Sequence, residues 1–272
     1  MATIRQMDGF DEIQVEGIDE EVRAPALPGR VTARATAEDL LDCLANDLVA
    51  HAANCVRQFG SFHLALSGGR TPLPLYAQLM YDPRFRILPW RRTHLWMVDE
   101  RCVPFEDERS NFARIREVIV EHSDIPAEQV HPMVATLPDA AARYERELRE
   151  ALGWREKGHD RLDFVLLGMG ADGHTASIFP GSPALVEAER LALDVAAPET
   201  CAPHVPRCTL TMRTINAARF VAPLVQGADK GPALARVAAG ASPEELPIAG
   251  VRPLAGELRW YLDAEACAAA RA

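Results

Sequence analysis

Leu162-Asp163-Phe164-Val165-Leu166-Leu167-Gly168-Met169-Gly170-Ala171-Asp172-Gly173-His174 is the stretch whose reading decides the fold. A short apolar run that stops at glycine has the length and composition of a buried strand. The glycines, acid and imidazole that follow belong to the loop leaving it. Upstream, Phe62-His63-Leu64-Ala65-Leu66 runs in the same way into Ser67-Gly68-Gly69, and Thr93 to Val98 into Asp99-Glu100-Arg101. A brief strand is expected over Val130–Val134. Later strands are expected at Leu191–Val195, Cys208–Met212, Arg219–Val225 and Leu258–Leu262. Helical patterns fall between them. Thr36 is the N-cap of a helix with Leu40, Leu41, Leu44, Leu48, Ala52 and Val56 on one face, ended by Gly60. Thr71-Pro72 opens a second helix, with Thr71 as N-cap and Pro72 at the first helical position. Ser110–Glu121, Pro138–Leu152 and Asp229–Ala239 are further helices. Strands alternating with helices predict an α/β fold, a three-layer α/β/α sandwich around a mostly parallel, Rossmann-like sheet. Residues 1–28 are read as an N-terminal extension, and 29–272 as a single α/β domain.

The chain has 272 residues, 48% apolar and 25% charged, which suits an ordinary globular protein. Its formal charge of −10 argues against nucleic acid or an anionic membrane as partner. An anionic ligand would need basic groups gathered locally, and only two lysines exist, Lys157 and Lys230. The six cysteines form no C-x-x-C pair, and none has a histidine at zinc-finger spacing. The start of the chain has no apolar signal core, and no run is long enough to span a membrane. A reduced, soluble, cytoplasmic protein is expected.

In open α/β sheets, ligands bind beyond the carboxyl ends of the strands. Three loops would share that edge if their strands are parallel. In Ser67-Gly68-Gly69-Arg70-Thr71, glycine N–H groups and the start of a helix suit an anion. Ser67 and Thr71 would add hydroxyl donors, and Arg70 a charge. The same residues also suit a tight strand-to-helix turn with no ligand. The Gly168–Gly173 loop matches G-x-G-x-x-G, and Asp194 lies about 20 residues on. A dinucleotide site would require a full helix there. Pro180, Gly181 and Pro183 stop one, so no dinucleotide site is expected. His174, two residues after Asp172, has the pattern of a general base that takes a proton from water, with Asp172 orienting the ring. His51, His63, His94, His122, His159 and His204 are read as packed or solvated. His131 keeps a claim through its place near a strand end. Asp99 and Arg101 suit either a grip on a polar ligand or a structural ion pair. Cys102 is read as a small packing residue rather than a thiolate nucleophile. No G-x-S-x-G or H-E-x-x-H motif is present.

These loops resemble those of the 6-phosphogluconolactonase family, whose relatives are the glucosamine-6-phosphate deaminases. The matching segments are Leu66 to Pro72, Val98 to Pro104 with Ser110-Asn111-Phe112, Leu167 to Pro180, Arg207 to Thr211 and Asn216-Ala217-Ala218. The resemblance runs from about residue 31 to 263. Deaminases carry Asp-Glu-Tyr where this chain has Asp99-Glu100-Arg101. They continue Asp-Gly-His-Ile-Ala-Phe-Asn-Glu where this chain has Asp172 to Phe179. Both departures favour the lactonase branch.

The resemblance implies a hydrolase of the oxidative pentose phosphate pathway that opens 6-phospho-D-glucono-1,5-lactone to 6-phospho-D-gluconate. The expected partner is thus a phosphorylated sugar lactone, with no cofactor and no metal. On this reading His174 deprotonates water and returns the proton to the ring oxygen, and Arg101 or backbone N–H groups meet the oxyanion. Asp99 holds Arg101 or a sugar hydroxyl. The phosphate sits on Gly68 and Gly69, assisted by Arg207, Lys230 and Arg70, and Gly170 counts among the ligand-contacting glycines. The alternatives are a sugar-phosphate isomerase or deaminase, a non-catalytic sugar-phosphate-binding protein and an NAD enzyme.

Overall fold

The computed structural model describes residues 22–199 and 201–271. Most of the 1–28 extension, residues 1–21, therefore lies outside the described residues. In chain order the elements begin β1 (Arg30–Arg34), α1 (Ala37–Phe59), β2 (Phe62–Leu66), α2 (Leu73–Tyr81), β3 (Thr93–Met97) and β4 (Asp99–Arg101). Then come α3 (Asn111–Ile115), β5 (Val130–His131), α4 (Ala140–Leu152), β6 (Phe164–Leu167), α5 (Pro183–Val186), β7 (Ala192–Val195) and β8 (Arg207–Leu210). The chain closes with α6 (Met212–Ala217), β9 (Phe220–Val225), α7 (Gly231–Ala238), β10 (Glu257–Asp263) and α8 (Ala264–Ala269).

Seven strands form one sheet in the order β1-β10-β9-β6-β2-β3-β5, and every pairing is parallel. Strands β2, β6 and β9 are buried along their whole length, as continuous apolar runs covered on both faces should be. Helix α1 covers one face and places the His51 ring 4.3 Å from that of Phe220. Its ends follow the expected signals: Thr36 accepts from Asp39 N at 3.1 Å, and Gly60 takes the left-handed conformation at φ 77°. Helix α4 covers the other face, where Tyr144 meets Trp96 edge-on. The Tyr144 hydroxyl accepts from Met97 N at 2.7 Å and donates to Met97 O at 2.9 Å. Burying a Leu or Phe side chain in such a core stabilises it by roughly 1.5–3 kcal/mol.

The strand order locates the ligand crevice. From β2 the chain moves outward to β3 and β5, then returns to the other side of β2 as β6 and proceeds through β9 to β10. The direction reverses between β2 and β6, and the space beyond their carboxyl ends is the switch point of the sheet. Their opposite ends are fastened by a buried ion triad. Asp163 accepts from Arg155 and from Arg219, each at 2.9 Å, and from His63 N at 2.8 Å.

Three sequence expectations are corrected. The strands expected at 191–195 and 208–212 do not join the parallel sheet. As β7 and β8 they pair antiparallel with β4 in a second sheet of order β4-β8-β7. Val98 is the link between the sheets: its N–H donates to Leu66 O and its carbonyl accepts from Leu210 N. Thr71 does not cap α2. Pro72 occupies the cap position in helical conformation without a side-chain cap, and Leu73 N reaches back to Arg70 O at 3.3 Å. Proline has no N–H to satisfy, so a capping hydroxyl has less to do there. The helix expected over 110–121 is α3 followed by a wider π turn, Arg116–Val120.

Candidate active site

A cavity of about 200 Å³ opens at the switch point. It is lined by Ser67, Gly68, Gly69, Thr71 and Pro72 after β2, by Asp99, Arg101 and Asn111, by Gly168, Met169, Gly170, His174 and Ala176 after β6, and by Lys230. The three loops singled out in the sequence therefore converge. Because β2 and β6 are parallel neighbours, their exits lie side by side.

His174 is held from behind. Its Nδ1 lies 2.5 Å from Asp172 Oδ1, and its backbone N–H donates to the same oxygen at 3.2 Å. With Nδ1–H donating to Asp172, Nε2 keeps its lone pair for the cavity. Burial alone would raise the Asp172 carboxyl, but its hydrogen bonds to His174 and that ring's charge outweigh it, leaving it below the ordinary carboxylate value. Gly170 makes the space for this pair: a Cβ there would overlap the His174 ring and Asp172 Oδ1. The loop is braced from outside. Gly173, at φ 77°, has no room for a side chain beside Leu246, and its carbonyl accepts from Ile248 N at 3.0 Å.

On β4, alternation sends Asp99 and Arg101 to the cavity and Glu100 away from it. The fully buried Glu100 carboxylate accepts from the backbone N–H groups of Arg101, Asn111 and Phe112, each at 2.7 Å. Ser110 Oγ adds a fourth bond at 3.0 Å. Burial raises the Glu100 carboxyl, against the opposing pull of those backbone donors. Glu100 thus fixes the start of α3 and with it Asn111. Asp99 is paired not with Arg101 but with Ser177 and Asn111. Arg101 rests on Arg109 O at 2.7 Å.

The other expected residues divide. Ser67 lines the cavity, but its hydroxyl donates to Leu166 O at 2.8 Å, so its proton is committed and it is not the free donor expected. Gly68 is pressed against the Asn111 side chain, which a Cβ would overlap, and Gly69 has φ 94°. Neither glycine N–H donates to another group among the described residues. Thr71 and Lys230 line the cavity, and Lys230 Nζ lies 2.8 Å from Asp229. Arg70 is exposed and outside the lining. Arg207 sits opposite Arg101 across the β4–β8 pair, buried, with its guanidinium on Pro203 O and Cys201 Sγ. It too lies outside the lining. His131 is not at the site. It stacks on Trp96 at 3.7 Å and meets Glu147 at 2.6 Å. Cys102 is half-buried away from the lining, and Asp194 lies on β7 in the second sheet. The first helix after the G-x-G-x-x-G loop is the four-residue α5.

Sequence reasoning missed Asn111, Ser177 and Ala176 as site residues. Asn111 and Ser177 lie within the matching segments, but no local pattern signals their partner, because each reaches Asp99 only through the tertiary fold. Ala176 has φ 51°, an uncommon backbone for a residue with a Cβ. Among the described residues no cluster of three or more His, Cys, Asp or Glu side chains is arranged to hold a metal ion.

Fold and cavity together define an α/β protein whose switch-point cavity is lined by an acid-held imidazole and a glycine-rich turn. The family model described as glucosamine-6-phosphate isomerases/6-phosphogluconolactonase matches residues 35–260. The chain is 42% identical over 241 residues to the human GDH/6PGL endoplasmic bifunctional protein, covering 85% of this chain but only 29% of that protein. It is 39% identical over 216 residues to the 6-phosphogluconolactonase of Synechocystis, covering 78% of this chain and 85% of the relative. The solved structure of 6-phosphogluconolactonase from Thermotoga maritima superposes with a TM-score of 0.73 at 31% identity, over 86% of this chain and 99% of that one. This chain belongs to the glucosamine-6-phosphate isomerase/6-phosphogluconolactonase family.

Proposed function

We propose that the α/β unit from residue 29 onward hydrolyses 6-phospho-D-glucono-1,5-lactone to 6-phospho-D-gluconate, a step of the oxidative pentose phosphate pathway. The observation that carries this reading is the His174–Asp172 pair facing the Gly68-Gly69 turn across one cavity. It has an activated base at one end and anion donors at the other. His174 Nε2 takes a proton from water, and the resulting hydroxide attacks C1. The carbonyl electrons move to oxygen, where the Arg101 guanidinium stabilises the charge. As the tetrahedral intermediate collapses, the C1–ring-oxygen bond breaks and His174 returns its proton to that oxygen. Asp172 stabilises the imidazolium between the two transfers.

The phosphate rests on the N–H groups of Gly68 and Gly69 at the start of α2, with Lys230 beside it. Arg207 supports from behind by adding positive charge. In an acidic protein, this local gathering of cations gives an anionic substrate its favourable field. The lactonase branch is favoured over the deaminase branch by Arg101, where deaminases carry Tyr, and by Ile178-Phe179, where they carry Asn-Glu. Six free thiols fit a reducing compartment, so we place the protein in the cytoplasm. Among the described residues no helix is long and apolar enough to cross a membrane.

The test is acid release from freshly made lactone in a pH-stat, with spontaneous opening subtracted. Turnover well above that baseline is expected. Ammonia release from glucosamine 6-phosphate instead would move the chain to the deaminase branch.

A further inference from the structure

Among the described residues the Asp99 carboxylate is the one acid in the cavity lining, and its setting is built for a single orientation. Ser177 Oγ donates to Oδ2 at 2.6 Å, and Asn111 Nδ2 donates to Oδ1 at 3.2 Å and to the Asp99 carbonyl at 2.9 Å. Ser177 is 2% exposed and Asn111 1%. Both donors are themselves fixed. Asn111 is set by Glu100 through its backbone N–H and by contact with Gly68. Ser177 is set by its backbone N–H on Thr209 Oγ1 at 3.2 Å, and Thr209 is the residue directly opposite Asp99 across the β4–β8 pair.

The backbone is bent to reach this arrangement. Thr175 to Ile178 forms a turn closed by Ile178 N on Thr175 O at 2.9 Å, and Ala176 within it has φ 51°. Strain of this kind persists where the surroundings over-determine it, and it concentrates at functional sites. Here it brings the Ser177 hydroxyl, three residues beyond His174, onto Asp99 behind the cavity wall. Neither donor is a cation. A carboxylate offers about four acceptor positions, and the two neutral donors leave the rest for a ligand.

We propose that Ser177 is a positioning residue for lactone hydrolysis: with Asn111 it locks the Asp99 carboxylate as a fixed acceptor for a substrate ring hydroxyl, and so sets the distance from C1 to His174. This rests on the lactonase reading. It assigns Asp99 to hydroxyl binding rather than to holding Arg101.

The experiment is a double-mutant cycle on lactone turnover. Ser177→Ala is expected to lower kcat/KM tenfold or more, and Asp99→Asn to lower it at least as far. If Ser177 acts through Asp99, the double variant falls no more than threefold below Asp99→Asn alone. Ser177→Thr, which keeps the hydroxyl, recovers at least half of the logarithmic loss. Circular dichroism and the unfolding midpoint identify variants that fail to fold; in that case Ser177→Cys, which fills the space with a weak donor, takes the place of Ser177→Ala. Ser177→Ala within twofold of wild type, or independent and multiplicative losses in the cycle, would overturn the proposal. Wild-type protein that leaves fresh lactone at its spontaneous rate would refute the lactonase reading itself, a different outcome from an active wild type with an indifferent Ser177.

Discussion

Gly170 lies directly beneath His174, so that a single added methyl would overlap the imidazole and the Asp172 oxygen it binds. Gly170 has an ordinary backbone conformation, since it is absent from the positive-φ positions of the chain. Gly170→Ala therefore tests space rather than backbone strain. It is expected to retain the fold while displacing the ring, lowering kcat on the order of 10²-fold. Unchanged kcat in a folded variant would show that the imidazole has freedom to move aside.

His174→Ala removes the proposed base and is expected to cost on the order of 10²–10⁴ in kcat. Asp172→Asn keeps the shape but can donate where the carboxylate only accepted, favouring the wrong ring tautomer. Its expected loss is also in kcat, with KM little changed. Steady-state kinetics on fresh lactone separate the two parameters.

Lys230→Ala is expected to raise KM at least tenfold with little change in kcat, because a charge gripping the distant phosphate binds ground state and transition state alike. Arg207→Ala is expected to differ. Its guanidinium is buried on Pro203 O and Cys201 Sγ, so the midpoint of unfolding should fall along with substrate affinity. A KM effect with unaltered stability would mean that Arg207 reaches the ligand directly.

Asp163→Asn is expected to destabilise by about 3–5 kcal/mol, since it leaves the almost wholly buried Arg155 without its counter-charge. Urea unfolding of the two proteins measures it. A change under about 1 kcal/mol would show that the Ser61 and Arg161 carbonyls and the retained amide oxygen already satisfy Arg155.

Stability is expected to fall as the pH drops below 6.5. Burial, with lesser contributions from Arg155, His94 and His131, pushes His63 far below the ordinary imidazole value of 6.5. Burial, then His131 and Arg155, takes His94 down to about 4 despite Asp163. Between those values and 6.5 the unfolded chain binds protons that the folded chain refuses, so acid favours unfolding. For fully buried His63 the slope approaches about 1.4 kcal/mol per pH unit. Urea midpoints from pH 7.5 to 5 measure it, and a His63→Gln variant should show a shallower fall. Equal slopes in both proteins would remove His63 as the cause.

The layered fold was legible because its central strands are short, mostly apolar runs that lead into glycine or charge. Phe62–Leu66 and Phe164–Leu167 need no tertiary knowledge to be read. The imidazole was legible for the same reason: Asp172 and His174 are two residues apart and their bond is local. What escaped notice depends on long-range closure. The pairing of Asp99–Arg101 with Arg207–Leu210 joins segments more than a hundred residues apart, and no periodicity tells a strand which sheet it will enter. Ser177 and Asn111 were hidden likewise, since a lone hydroxyl or amide beside a motif looks like any polar loop residue until its acceptor arrives. Arg70 and Arg207 show the converse. Proximity to a motif reads both as ligand cations, while the fold leaves Arg70 exposed and commits the Arg207 guanidinium to Pro203 O as well.

The contact of Gly173 with Leu246 and Ile248 has a practical consequence for recombining this protein with its relatives. The imidazole loop takes its outer wall from a segment that a different parent would supply whenever the crossover falls between residues 174 and 246. Hybrids with such a junction can inherit every motif residue intact and still seat the ring against a mismatched neighbour, so crossovers on either side of that interval are the ones that should breed active offspring.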